Sequence, residues 1–538
     1  MAVDPKHSSK RYNRNIAAAW IATAASMLAA FYLSPFVVHK LGDSAYGVWT
    51  LLMSLTGYLG LVDLGVRAST GRFINYYVGR GEQKRANEIL STSLAIYCAA
   101  GIVILGVAVV VGNNLEAWFP RLPAAFLEPA RYLFPLLSLN IILSLFGATF
   151  TQLLVVRERF DLRAANDIVI VVLRTAATVV VLRLGYGITG LSIVIVSASF
   201  LACILGYLLA QPRKHGFTCH IGDVRSTTVS EIMAFGGWSL ISIASARIIN
   251  YTDTTVIACL FGAEAVTAYA IGLTLIEYAN NLLSETVMVF TPEIAKTAGR
   301  GNYADLRDLT IETSRPTAFL SILLLVGVAV FARDFLRLWM GPAYASSSRI
   351  TFILAVAHLG SWLTRSCQTT LWGMGRVRLL GTLNLIQAAA NLSLSILLAM
   401  VTTLGITAVA VGTLVPMVFL DWLVIPYCTC RTLNLPLRVY LGKTVLRCLP
   451  VIAVFSVISF IIMDTGFGQG WIALLAKVAI ACLLYLAFAP IPVFGTNPLV
   501  SLSAFWAMVS KGAATAKDTA YSRNSFSPAS RSDSKTQS

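Results

Sequence analysis

Charge is what this chain of 538 residues holds least of. Asp, Glu, Lys and Arg make up 12% of it, against roughly 25% in a soluble domain, so no soluble domain of any size is expected. Motifs of energised or catalytic proteins are missing too. Gly442-Lys443-Thr444 resembles the end of a P-loop, but Leu437 occupies the place of its first glycine, and ATP-driven pumping loses its support. No Asp-x-Asp pair is present to suggest a metal-dependent sugar-nucleotide transferase. None of the nine cysteines falls in a predicted outer loop, which argues against a disulfide framework. His215, Cys219 and His220 lie close together without a nearby fourth ligand, so solvated loop residues are a simpler reading than a metal site.

What fills the chain instead is apolar: 57% of residues are hydrophobic and the mean hydropathy is +0.74. About fourteen stretches approach the roughly 20 residues with which a helix crosses about 30 Å of hydrocarbon while satisfying its own backbone. They run from Ile16 to Val38, Ala45 to Gly65, Leu90 to Gly112, Tyr132 to Val155, Ile168 to Leu182, Ile188 to Ala210 and Ile232 to Leu260. The remainder are Val266 to Phe290, Pro316 to Leu338, Ile350 to Trp372, Leu379 to Val401, Ile406 to Tyr427, Val445 to Met463 and Trp471 to Ala489. The pattern predicts an all-α polytopic membrane protein of about 14 transmembrane helices. The first run exceeds the roughly 7 to 15 apolar residues of a signal-peptide core, so it is read as a membrane helix.

The net charge of +16 would suit nucleic acid if it were clustered on one domain, but it is distributed by loop. Arg67, Arg72, Arg80, Lys84 and Arg85, then Arg157, Arg159 and Arg163, then Arg213, Lys214 and Arg225, then Lys296, Arg300 and Arg307 fall in every second gap. The positive-inside rule makes that side, and both termini, cytoplasmic. Membrane lipids with anionic headgroups are the expected neighbours, and nucleic acid is not.

A repeat underlies the spans. Leu41-Gly42 follows the first and Gly79-Arg80-Gly81 the second; Phe261-Gly262 and Gly299-Arg300-Gly301 follow the seventh and eighth, about 220 residues later. An even number of spans separates the copies, so two six-helix repeats are parallel and form two lobes, as in one class of transporter. The expected organisation is a cytoplasmic basic tail (1–15), an N-lobe of spans one to six (16–210), a cytoplasmic linker (211–231) and a C-lobe of spans seven to twelve (232–430). Two extra C-terminal helices (431–490) precede an interfacial segment and a disordered cytoplasmic tail (491–538).

Ionisable groups at membrane depth are costly and normally face a protein cavity or a partner. Arg247 lies in the seventh span with Asn250, Tyr251 and Thr254 on its face. The eighth carries Glu277 and Glu285, the tenth His358, Ser361, Arg365, Gln368 and Trp372, and the eleventh Asn384, Gln387, Asn391 and Ser395, each at helical spacing. Arg174 stands within the fifth. For the amides of span eleven, bonding helices together and facing a ligand stay open alternatives. Arg247 and Arg365 are expected in a water-filled cavity or paired with Asp253, Glu277 or Glu285. Asp63 and Asp421, near predicted cytoplasmic ends, and Lys477, which can snorkel, are read as structural first.

The stretch Phe31, Leu41-Gly42, Tyr46-Gly47, Asp63-Leu64-Gly65 and Gly79-Arg80-Gly81 resembles the start of the bacterial polysaccharide transporters, the oligosaccharide flippases of the Wzx type. These belong to the multidrug/oligosaccharidyl-lipid/polysaccharide exporter superfamily. Asp253, Phe261-Gly262, Tyr269, Pro292 and Gly299-Arg300-Gly301 resemble the corresponding second-half helix pair. The resemblance implies a bacterial inner-membrane protein, not an enzyme and without a bound cofactor. By alternating access it moves an undecaprenyl-pyrophosphate-linked oligosaccharide from the cytoplasmic to the periplasmic leaflet for polysaccharide, including exopolysaccharide, biosynthesis. A polymerase and export proteins are its implied partners. Guanidinium groups suit a pyrophosphate and amides and aromatics suit sugars. Arg247, Arg365 and Arg174 are therefore headgroup candidates, with Tyr251, Asn250, Gln368, Trp372, Asn384, Gln387 and Asn391 as the other substrate-binding candidates. Asp253, Glu277 and Glu285 are candidates for coupling to H⁺ or Na⁺. Three rivals remain: a cation-coupled multidrug antiporter using those acids, a peptidoglycan-precursor flippase, and a membrane enzyme of glycan assembly. The short outer gaps, the longest running from Asn113 to Arg131, disfavour the enzyme.

Overall fold

The computed structural model describes residues 5–63, 65–157, 159–464 and 468–494, and every regular element among them is helical. Helices α1 (Pro5–Leu41), α2 (Asp43–Leu59), α3 (Val66–Gly79), α4 (Gln83–Asn113), the short α5 (Leu115–Trp118), α6 (Ala124–Val156), α7 (Phe160–Arg183) and α8 (Gly187–Ala210) form the first half of the sequence. The second half begins with α9 (Ser226–Phe261), α10 (Ala263–Gly299), α11 (Tyr303–Ser321), α12 (Gly327–Trp339), α13 (Ser348–Leu363), α14 (Arg365–Gly373) and α15 (Val377–Val401). It continues with α16 (Ile406–Phe419), α17 (Ile425–Thr432), α18 (Leu437–Lys443), α19 (Val445–Asp464), α20 (Trp471–Phe488) and α21 (Pro490–Phe494). Two π-helical turns, Ile322–Val326 and Leu420–Val424, join α11 to α12 and α16 to α17.

Among the described residues eleven helical stretches are long and apolar enough to cross a membrane, and they match expected spans one to six, nine and eleven to fourteen. Helices α9, α10 and the α13–α14 pair, which carry most of the intramembrane polar residues, are not among them. The expected interfacial run from Leu499 and the Ser-rich tail lie outside the described residues. Paired glycines of the expected repeat share a positive backbone φ. Gly42 and Gly262 have φ of 76° and 87°, and Gly81 and Gly301 have 75° and 71°, a region that glycine alone occupies without strain.

The chain forms two compact units. The first comprises the residues up to Leu275 with Ala332–Leu354 and Val377–Pro416. In it α6 packs on α4 and α8, α7 on α1 and α8, and both α2 and α15 on α9. Glycines make the α2 contact possible: a Cβ on Gly47 would lie 1.8 Å from the Ala263 carbonyl oxygen, and one on Gly57 would lie 2.3 Å from the Tyr251 ring. The segment between α8 and α9 is tied to α4. Gln83 Nε2 and Asn87 Nδ2 both donate to the Gly216 carbonyl at 3.1 Å, Asn87 Nδ2 also reaches Thr218 Oγ1 at 3.0 Å, and Ser91 Oγ accepts from the His220 backbone N–H at 3.2 Å. Buried Glu88 pairs with Arg85 at 2.9 Å and Arg225 at 3.9 Å.

The second unit comprises Ile276–Phe331, Ala355–Arg376 and the described residues from Met417 onward. Helix α11 meets α14 through the buried Thr310–Thr370 hydroxyl pair at 2.9 Å. The extra C-terminal helices pack here by aromatic contact. Tyr485 of α20 donates to the Phe319 carbonyl at 2.7 Å and sits 4.7 Å from the Phe455 ring.

Candidate functional site

Each unit holds a carboxylate that its neighbours have drawn into a polar cluster. In the first unit α9 supplies Asp253, α10 Tyr269, α15 Asn391 and α16 Thr413. Tyr269 donates to Asp253 Oδ2, Thr413 Oγ1 donates to the same oxygen at 2.8 Å, and Asn391 Nδ2 donates to Thr413 Oγ1 at 2.7 Å. All four are buried, Asp253 being 6% exposed and Asn391 1%. Asp253 Oδ1 and Asn391 Oδ1 are buried without a hydrogen-bond partner. Two such acceptor oxygens carry an unrecovered desolvation cost of about 1–3 kcal/mol each, which a proton or a small hard cation would offset. Among the described residues no group of three His, Cys, Asp or Glu side chains is placed to hold a metal ion.

Arg247 lies on the same helix but in a separate network. Its Nη1 donates to Tyr251 Oη at 2.8 Å, the Tyr251 ring stands edge-on to Tyr58 at 5.6 Å, and Tyr58 Oη reaches Thr252 at 3.4 Å. Half-buried Arg247 thus holds a phenol, and it has no ion pair among the described residues. Asn250 is exposed, Asn384 partly so, and Gln387 is buried on the Asn391 face of α15. Arg174 is exposed on α7, also without an ion pair among the described residues.

In the second unit Asp421 sits in the π-helical turn Leu420–Val424, a form of backbone that recurs at functional sites. Ser361 donates to its Oδ2 and Gln368 Nε2 to its Oδ1 at 3.3 Å. Arg365 Nη1 donates to Gln368 Oε1 at 2.6 Å and its guanidinium lies 5.4 Å from the Trp362 ring centre. Trp362 Nε1 in turn donates to Asn280 Oδ1 at 2.7 Å, and the Asn280 amide meets His358 Nδ1 at 3.2 Å. Arg365 therefore reaches an acid through Gln368, and that acid is Asp421. Trp372 is 52% exposed. Glu277 is exposed with no ion pair among the described residues, and the side chain of Glu285 lies outside them.

Reasoning from the sequence missed Asp421 and Thr413 as members of these clusters. An acid inside an apolar run was the available signal for Asp421. Thr413 carried none, because a threonine in a membrane helix usually bonds its own backbone, as this one also does to Val409 O at 3.3 Å.

Membrane-length helices around buried polar clusters define a multi-pass membrane protein, and solved structures share the fold. A structure of the lipid II flippase MurJ in an inward closed conformation aligns with a TM-score of 0.66 at 15% identity, covering 88% of this chain and 97% of that one. An inward-facing multidrug resistance MATE family transporter of the MOP superfamily aligns with 0.63 at 15% identity, covering 77% and 99%. The chain belongs to the polysaccharide biosynthesis protein family, which it matches over residues 41–349. It is also similar to the uncharacterized membrane protein EpsK of Bacillus subtilis (strain 168), 20% identical over 350 residues, 64% of this chain and 68% of that one. The two solved structures are those of a flippase and of a transporter.

Proposed function

We propose that this protein flips an undecaprenyl-pyrophosphate-linked oligosaccharide from the cytoplasmic to the periplasmic leaflet of a bacterial inner membrane, with both termini cytoplasmic, supplying a polysaccharide polymerase and export machinery. Membership of the polysaccharide biosynthesis family over residues 41–349 carries the reading. Arg247 and Arg365 support it as guanidinium groups held by neutral partners, Tyr251 and Gln368, so their charge remains for a phosphate. Asp253 with Asn391 and Thr413 is the coupling site: a proton or Na⁺ taken up by the two unpartnered oxygens changes the charge buried in the first unit. An ion drives the cycle only through unequal affinity for its two conformations.

Deletion is expected to deplete one surface or secreted polysaccharide and to leave the completed lipid-linked repeat unit on the cytoplasmic face, read by lipid extraction and impermeant labelling. The MATE likeness, which covers 77% of the chain, favours a cation-coupled drug antiporter as the second reading. In that case the polysaccharide would stay intact and tolerance to cationic toxins would change.

A further inference from the structure

The second span does not run straight to its end. Helix α2 closes at Leu59, a 3-10 turn covers Gly60–Asp63, and Gly65, at φ 71°, restarts the chain as α3. Helix α3 is firmly seated: Ser69 Oγ donates to the Ile232 carbonyl at 3.0 Å and Thr70 meets Ser93 at 2.7 Å. On another face Arg67, Gly71 and Asn75 recur every four residues in one stripe. Gly71 leaves a hollow in that stripe, floored by α6, where Gln152 Nε2 stands 2.8 Å from the point a Cβ on residue 71 would occupy. The open pocket so formed has a volume of about 510 Å³ and is bounded by Asp63, Arg67, Arg72, Asn75 and Gln152.

Its one acid is already engaged. Asp63 Oδ1 accepts from Tyr97 Oη at 3.3 Å and from the Arg67 backbone N–H at 3.2 Å, and Oδ2 lies 4.0 Å from Arg67 Nε. Asn75 Nδ2 donates to the Gly71 carbonyl at 2.8 Å, and the Arg72 guanidinium lies 6.0 Å from the Phe73 ring centre. The lining holds two guanidinium groups and one carboxylate, and planar N–H forks suit phosphate oxygens. Arg67, Arg72 and Arg80 follow the second apolar stretch in one of the basic gaps, which places the pocket, by the distribution of charge, toward the headgroups on the basic side.

We propose that this pocket binds the phosphate-bearing headgroup of a lipid, with a diphosphate ester as the best match to Arg67 and Arg72 together. The phosphate chemistry stands on the pocket itself; the identity of the lipid rests on the function proposed above. The test uses the full chain in phosphatidylcholine nanodiscs, titrated separately with undecaprenyl pyrophosphate and with phosphatidylglycerol. The R67Q/R72Q double variant, checked for an unchanged melting temperature, is expected to lose roughly ten- to a hundredfold in affinity, and R67K/R72K is expected to recover only part. Loss for the pyrophosphate alone assigns the pocket to the transported lipid, and loss for both lipids assigns it to lipid phosphates generally. If the unaltered protein ignores undecaprenyl pyrophosphate while phosphatidylglycerol still depends on the arginines, the pocket stands and the proposed substrate falls. Unchanged binding of both lipids by R67Q/R72Q, or full recovery by the lysines, overturns the pocket.

Discussion

Both units pair a buried carboxylate with an arginine, but they connect the two differently. In the first, Asp253 and Arg247 lie on one helix and share no hydrogen bond: the acid is held by Tyr269 and Thr413, the arginine by Tyr251. In the second, Arg365, Gln368 and Asp421 form one chain of contacts. Asp253 keeps an oxygen without a partner, whereas Ser361 and Gln368 occupy both oxygens of Asp421. A buried carboxylate oxygen with no hydrogen bond gains most from an ion, whereas a carboxylate that already accepts at both oxygens gains less and also fixes the groups around it. The ion coupling proposed above would therefore fall on the first unit, and the positioning of an arginine on the second.

The sharpest way to break this contrast is Asp253→Asn, which keeps an acceptor for Tyr269 and Thr413 but removes the charge. Ion-driven flipping in proteoliposomes, under separate pH, Na⁺ and voltage gradients, is expected to fall about a hundredfold, near the upper end of typical coupling energies. Membrane abundance should hold. Asp421→Asn should retain most of the gradient response, and the reverse pattern would exchange the two roles.

Arg247→Ala comes next, with an expected loss of roughly tenfold or more in export as a charge-assisted phosphate contact disappears. Arg247→Lys should restore part, since a point charge replaces a five-donor fork. Normal export by Arg247→Ala would remove its headgroup role, and failure of that variant to accumulate would make it structural. The smallest effect is the most specific. In double-mutant cycles of thermal stability, Arg365→Ala with Asp421→Ala should show a coupling of about 0.5–3 kcal/mol, while Arg247→Ala with Asp253→Ala should be additive within about 0.5 kcal/mol.

Much of this architecture is legible in the sequence because hydrocarbon permits so few backbone solutions. Long apolar runs had to be helices, and glycines at offsets of about 220 residues marked turns that only glycine makes freely. The same offset also shows where such legibility stops. Gly60 and Gly65 correspond to Asn280 and Glu285. In the first half the chain breaks there and a pocket opens, whereas α10 runs unbroken and Asn280 instead organises Trp362 and His358. Read linearly, Gly65 was simply the end of a span. The partner of Arg365 was hidden for another reason, since Asp421 reaches it through a third side chain and from a π-helical turn that no apolar periodicity announces. The amides of span eleven resolved in part: Asn391 serves the Asp253 cluster, whereas Asn384 is partly exposed.

The ties along α4 carry a consequence for the segment from Gln211 to Arg225. By contour it offers about 50 Å of reach, enough to let α8 and α9 wander far apart. Fastened at Gly216, Thr218 and His220, and again at Arg225 through Glu88, it has almost no slack. Sequence length between the halves is thus a poor measure of their freedom: residues added before Gly216 would lengthen only a side loop, while a single lost anchor near Arg225 would slacken the join itself.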